Sequence, residues 1–163
     1  MGLKIKKIIS VRKAKIDDCK DLYNWRNNHE TLKMFLNTTK VEWNKHVKWF
    51  EDSLLNKNFL ILLCYLTKSK QKCGVVRFLI DNSETDISIN LAPKMRGLGL
   101  SKICLKEAIK FYYKSFSQNE EIIARIKKIN LKSLRCFESV GFEFKDEING
   151  ICNLRLKKDS LKR

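Results

Sequence analysis

The residues best placed to hold a ligand lie together in Ala92-Pro93-Lys94-Met95-Arg96-Gly97-Leu98-Gly99-Leu100-Ser101, between a strand-like and a helix-like stretch. Glycine lets the main chain approach phosphate oxygens with no Cβ in the way. The first N–H groups of a helix have no partner inside it, and together with the helix dipole they favour an anion. Arg96 adds a charge-assisted donor. Gly97, Leu98, Gly99, Leu100 and Ser101 thus form a candidate pyrophosphate cradle, the alternative being that the two glycines only make a turn. The segment is not the dinucleotide fingerprint, which needs a third glycine in a parallel strand-helix-strand unit. Nor is it a P-loop, which needs Gly-Lys-Ser or Gly-Lys-Thr.

Groups that could move protons are few. The chain has two histidines. His46 borders an apolar helical stripe, where its ordinary pKa suits a general base or a phosphate contact; a satisfied boundary histidine is the alternative. Asp86 and Ser88 alternate with Ile87 and Ile89 along a strand-like run, so either can hold a water that relays a proton. The six cysteines are dispersed, without a CxxC pair and with too few histidines to complete a metal set. They are expected to be free thiols acting as small core hydrophobes, with no metal bound.

These groups need a scaffold, and with six glycines and one proline its joints are sparsely marked. The pattern predicts a strand over 8–15, then a helix opened by Asp17 and Asp18 with Cys19, Leu22, Tyr23 and Arg26 on one face. A helix over 29–36 follows. A third helix, capped by Thr39, carries a stripe of Trp43, Val47, Phe50 and Leu54. From Asn58 the period changes to two, giving strands over 59–67, 74–80 and 85–91 as an antiparallel meander. A helix over 99–116, a strand over 122–127, a helix over 131–139 and strands over 142–145 and 151–157 complete the chain. The sum is α/β, a mixed and mostly antiparallel central sheet flanked by helices. At 163 residues and 44% hydrophobic content the chain buries one core, so 1–163 reads as one domain.

A formal charge of +16 asks for an explanation. The lysines are scattered, with short clusters at 4–7, 127–128 and 157–163, and no basic run is interleaved with aromatics as a base-stacking track would be. A solvated surface biased toward phosphate-bearing ligands is expected, and a nucleic-acid-binding module is the least favoured reading. No stretch approaches the roughly 18 apolar residues of a membrane span, and the first nine residues lack the apolar core of a signal peptide. No membrane association and a cytoplasmic location are expected.

Taken in this framework, Arg96-Gly97-Leu98-Gly99-Leu100-Ser101 resembles the signature (Gln or Arg)-x-x-Gly-x-(Gly or Ala) of the GNAT superfamily of N-acetyltransferases. It matches at Arg96 and Gly99 and ends in Ser101, a compact residue whose hydroxyl can itself reach a phosphate. A second pattern of the family, Asn-x-x-Ala-x-x-x-Tyr-x-x-x-Gly-Phe, appears as Asn130, Ser133, Phe137 and Gly141-Phe142. The resemblance runs from Val11 to about Lys157. It implies the GNAT fold, splayed between the fourth and fifth strands, with acetyl-CoA as cosubstrate. Asn90 and Leu91 would offer main-chain hydrogen bonds to pantetheine, the 96–101 segment would hold the pyrophosphate, and Asn130 and Phe137 would complete the cofactor side. Members that use a general acid often carry Tyr where this chain has Phe137. Here Ser133, Ser139 or a water takes that part, or the thiolate, of pKa about 8.5, leaves without help; core packing is the other reading of Phe137.

For the acceptor, Trp25-Arg26-Asn27 and Glu42-Trp43-Asn44-Lys45-His46-Val47-Lys48-Trp49-Phe50 resemble GNAT enzymes that acetylate amino sugars on nucleotide carriers, among them the pseudaminic-acid pathway N-acetyltransferases. Val75-Val76-Arg77-Phe78 and Asp86-Ile87-Ser88-Ile89 add to that likeness. Ribosomal-protein N-terminal acetyltransferases share a similar Trp-Arg-Asn segment, so a peptide acceptor is the alternative. The resemblance implies that Arg26 meets a phosphate or the sugar and that Trp25 or Trp43 stacks on a ring, with Asn27, His46 and Arg77 beside them. It also implies direct transfer in a ternary complex, no cysteine being placed as a nucleophile. A homodimer stays open.

Overall fold

The computed structural model describes residues 7–116 and 121–159; the basic clusters at 4–6 and 160–163 lie outside the described residues. Seven strands form one sheet in the order β1-β2-β3-β4-β5-β7-β6: β1 (Ile9–Lys13), β2 (Phe59–Leu66), β3 (Lys72–Ile80), β4 (Thr85–Leu91), β5 (Glu121–Lys127), β6 (Glu143–Ile148) and β7 (Ile151–Lys157). The helices are α1 (Cys19–Arg26), α2 (His29–Met34), α3 (Trp43–Leu55), α4 (Leu100–Ser115) and α5 (Leu131–Glu138).

β2 shows why the core sits where it does. Its run of Phe59, Leu60, Ile61, Leu62, Leu63 and Cys64 is apolar at consecutive positions, so both faces must be covered, and α3 and α4 both pack against it. Five of the six thiols are buried and Cys136 is half-buried, all free. Burial pushes the thiols of Cys19, Cys73 and Cys136 up, and a hydrogen bond with Cys104 together with burial raises that of Cys64. These are core thiols, unsuited to nucleophilic attack.

The sheet is antiparallel except between β4 and β5, and that joint is what builds the site. The two strands pair only at Thr85 with Ile122 and Asp86 with Ile123, then part. On its other edge β4 pairs with β3 over its whole length. Ala92 donates its N–H to the Cys73 carbonyl at 2.8 Å. Alternation along the ladder therefore turns the main-chain polar groups of Asn90 toward β3 and those of Ile89 and Leu91 into the gap. The expectation for Asn90 is corrected on this point: its main chain belongs to the sheet, and Ile89 and Leu91 face the opening.

Two local readings also change. Thr39 does not cap α3. Its N–H is taken by Asn37 Oδ1 in a turn, and Glu42 occupies the cap position without a side-chain bond. In the first turn of α3 the buried position is His46, only 3% exposed, whereas Trp43 is 39% exposed; Phe50 and Ser53 are buried further along. Trp43 packs edge-on against Tyr23 under the Lys20 ammonium rather than joining the core. The first strand ends at Lys13 and the second helix at Met34, both short of the expected ranges.

Candidate active site at the strand splay

The loop after β4 is built around two left-handed residues. Gly97 and Gly99 have φ of 75° and 71°, a region costly for residues with a Cβ, and neither would meet a protein atom within 4 Å if a Cβ were added. The chain uses glycine there for backbone conformation, and the space outside is free. Gly99 precedes the first turn of α4 with no side-chain cap, so the N–H groups of Leu100 and Ser101 point outward at the positive end of a 16-residue helix. Leu98 lies exposed at the crest of the loop. These features fit a pyrophosphate.

Arg96 has another task. Its guanidinium turns inward and makes four hydrogen bonds, two to the Leu91 carbonyl, one to Asn28 Oδ1 and one to Thr31 Oγ1. It latches the end of β4 to α2, and this use competes with a phosphate contact. Asn130 caps α5 by accepting from the Ser133 N–H at 3.2 Å. Phe137 is 2% exposed and meets Phe142 edge-on at 5.0 Å between ring centres.

Two cavities open around the splay. One, of about 350 Å³, runs into the gap itself, between Ser88 and Ile89 of β4, Arg125 of β5 and Asn130, Ser133 and Phe137 of α5. The other, of about 200 Å³, lies under α1 and α3 and is lined by Arg26, Phe35, His46, Trp49, Arg77 and Asn90 among others. They share Arg26, Phe35, Arg77 and Ser88, so they meet at the middle of β4.

The structure sorts the expected acceptor and catalytic residues. Arg26, His46 and Arg77 come together on the smaller cavity. Trp25 is buried in the core and Asn27 clasps the Val41 main chain through both amide atoms, at 2.8 and 2.9 Å. Neither Trp25, Asn27 nor Trp43 lines either cavity. Asp86 is held by Arg125 in an ion pair, so it is no free base. Ser88 Oγ accepts from Arg77 Nε at 3.3 Å and keeps its own proton to donate where the cavities meet. Sequence reasoning missed Phe35, which stacks under the Arg26 guanidinium at 4.8 Å, and Trp49, which lies 5.5 Å from that of Arg77. Trp49 stood within a segment already singled out, while Phe35 carried no signal.

Burial lowers the pKa of His46, against a smaller opposing effect from the Cys19 carbonyl 3.1 Å from Nε2. A carbonyl can only accept, so Nε2 carries the proton and Nδ1 the lone pair.

Phe137 sits on the wall of the gap, but it has no proton to give. Phe137→Leu keeps an apolar side chain at that wall and is expected to lower turnover less than about tenfold, under about 1.4 kcal/mol of barrier. Steady-state kinetics on a variant of unchanged circular dichroism checks it; a larger loss means that the ring positions a substrate.

Residues 9–143 match the family model described as an acetyltransferase (GNAT) domain. No curated protein sequence matches the chain. Among solved structures it is similar to the spermidine N-acetyltransferase of Vibrio cholerae in complex with CoA and spermine, with a TM-score of 0.82 at 15% identity, covering 95% of this chain and 98% of that one. The aminoglycoside acetyltransferase AAC(6')-Ib in complex with coenzyme A gives 0.80 at 15% identity, covering 94% and 97%. A domain from Methanocaldococcus jannaschii gives 0.79 at 21%, covering 91% and 97%. At such identities these likenesses show the fold, and they do not bear on the nucleotide-sugar branch. Among the described residues no helix is long and apolar enough to cross a membrane, and no group of three or more His, Cys, Asp or Glu is arranged to hold a metal. With a family model matching most of its length on a sheet splayed between β4 and β5, the chain belongs to the GNAT acetyltransferase family and is an N-acetyltransferase with acetyl-CoA as cosubstrate.

Proposed function

We propose that the chain, acting as one domain in the cytoplasm, transfers the acetyl group to the primary amine of a nucleotide-linked amino sugar by direct attack within a ternary complex. The observation that carries the reading is the junction of the two cavities at Ser88 and Arg77, which lets a thioester in the gap meet an amine entering from beneath α1 and α3. Proximity of this kind is itself a large part of the barrier lowering. The gap-facing N–H groups of Ile89 and Leu91 are suited to meet pantetheine and the developing oxyanion.

His46 is the base that the geometry leaves. Asp86 is paired and Ser88 Oγ is engaged, whereas buried neutral His46 lines the acceptor cavity and keeps a ring lone pair that the Cys19 carbonyl does not use. It would take the ammonium proton before or during attack. The thiolate, an easier leaving group than an alkoxide, would depart with a proton from water or Ser133. Arg26, which comes from the Trp25-Arg26-Asn27 segment, supports the sugar-nucleotide branch by lying on the acceptor cavity.

The test is acetyl transfer, with acetyl-CoA saturating, to a panel of nucleotide-linked amino sugars and to ribosomal-protein N-terminal peptides, alongside thermal shift with each acceptor. Turnover of at least one amino-sugar nucleotide well above every peptide is expected. Efficient acetylation of peptides with the sugars ignored overturns the reading in favour of a peptide acceptor.

A further inference from the structure

Arg26 and Arg77 pose a problem that the transfer reaction alone does not explain. Both line the two cavities, and among the described residues no carboxylate lines either one. Arg26 donates Nη2 to the Asn37 carbonyl at 2.8 Å, yet its Nη1 is buried with no hydrogen-bond partner. Arg77 has one neutral contact, with Ser88 Oγ, and lies over Trp49. Burial lowers the pKa of each, and the Arg77 charge is further opposed by that of Arg26. A guanidinium does not escape such a site by losing its proton. Both guanidiniums are half-buried and face the same two cavities, so two like charges stand together with no carboxylate among the lining residues, an arrangement that a bound anion would relieve.

We infer that Arg26 and Arg77 form an anion subsite that takes a phosphate or carboxylate carried by the acceptor, on the same molecule as the amine. The inference rests on the transferase reading above and narrows it to a class of substrate. Guanidinium forks suit the planar edge of a carboxylate and the oxygens of a phosphate equally. The aromatic faces of Phe35 and Trp49 hold the two forks in place. It follows that polyamines and aminoglycosides, the polycations bound by the structural neighbours, are poor acceptors here: their second ammonium would meet arginine with no acidic group to receive it.

The experiment pairs each anionic amine with an uncharged counterpart in phosphate-free buffer with acetyl-CoA saturating. Glucosamine 6-phosphate against glucosamine and a nucleotide-linked amino sugar read the phosphate source; alanine against alaninamide reads the carboxylate source; spermidine is the cationic arm. The anionic member of at least one pair should have a kcat/KM about ten- to a hundredfold above its partner, the range for one charge-assisted hydrogen bond. That ratio should fall to within about threefold in Arg77→Met. Thermal shift gives a readout that needs no turnover. With CoA saturating its own site, inorganic phosphate should raise the Tm of the wild type and not of Arg77→Met. In the absence of anions Arg77→Met should melt no lower than wild type, because it removes a destabilising charge; a purely structural arginine would give a lower Tm. Equal use of charged and uncharged amines, preference for spermidine, or no stabilisation by phosphate overturns the subsite. If phosphate stabilises the protein but nucleotide-linked amino sugars are ignored, the subsite stands and the sugar reading falls. If those sugars are acetylated equally well by Arg77→Met, the sugar reading stands and the subsite falls.

Discussion

Gly99→Asp is expected to abolish the thermal stabilisation given by acetyl-CoA and to lower kcat/KM for that substrate at least about a hundredfold, roughly 2.7 kcal/mol. The reason is electrostatic. An aspartate there places a negative charge at the start of α4, where a pyrophosphate needs unpaired N–H groups and a positive helix end. The fold itself should tolerate the change. No protein atom lies within 4 Å of the added Cβ, and although φ at 71° disfavours a side chain, aspartate is among the residues that enter this region most readily. A carboxylate also suits the beginning of a helix that lacks a cap. Wild type should gain about 2.7 kcal/mol from acetyl-CoA at a hundredfold excess over Kd, or roughly 5–10 °C in Tm for a chain of this size. Gly99→Ala separates the two contributions: it carries the backbone strain without the charge and should keep part of the shift. A folded Gly99→Asp protein that still binds acetyl-CoA normally would mean that the cofactor does not use this helix end.

Among the described residues the order and kind of every strand and α-helix were readable because two signals agreed along the chain. β4 begins and ends where its alternation does, at Thr85 and Leu91, and β7 likewise occupies 151–157. The loop at 92–101 was readable because glycine has few reasons to stand twice in three residues. What escaped were competitions settled only in three dimensions. Arg96 looks like a free phosphate ligand in one dimension, but Asn28, Thr31 and the Leu91 carbonyl claim it first. Asn27 sits in a segment that resembles an acceptor motif, and the main chain of Val41, 14 residues on, uses both its amide atoms. Trp43 and His46 are one helical turn apart, so which of them faces the core depends on how α3 is rotated against α1, and periodicity alone chose the larger ring. The arginine pair was half visible: Arg26 and Arg77 were both singled out, but that no carboxylate among the described residues lines their cavities is a property of the fold and has no trace in the sequence.

Asp18 supports the acceptor side from a distance, and replacing it is expected to have the largest effect on stability. It is 1% exposed and accepts from both Arg12 amino groups at 2.7 and 2.9 Å and from the Lys15 N–H at 2.9 Å, with the Lys72 ammonium at 2.8 Å. One carboxylate therefore joins β1, the turn before α1 and β3, and so fixes the start of the helix that ends in Arg26. Burial acts to raise its pKa, but the bonds from Arg12, Lys72 and Lys15 outweigh it and bring the value down to about 2 from 3.8. A pKa depressed in the folded state means that the unfolded chain binds the proton more readily. The stability is then fully present above about pH 4–5 and is lost as pH falls through 3.8 toward 2. The shift corresponds to about 2–3 kcal/mol. Asp18→Ala should cost about 3 kcal/mol near neutral pH, since it leaves Arg12 without its partner and the Lys15 N–H unsatisfied, which lowers Tm by roughly 6–12 °C. Asp18→Asn keeps the shape and loses the charge, so its unfolding free energy should be lower at pH 7 and flatter than wild type between pH 5 and 2. Denaturant titrations across that range decide the matter. Parallel curves for wild type and Asp18→Asn would show that the low pKa contributes nothing to folding, whereas convergence toward pH 2 is what the ion cluster requires.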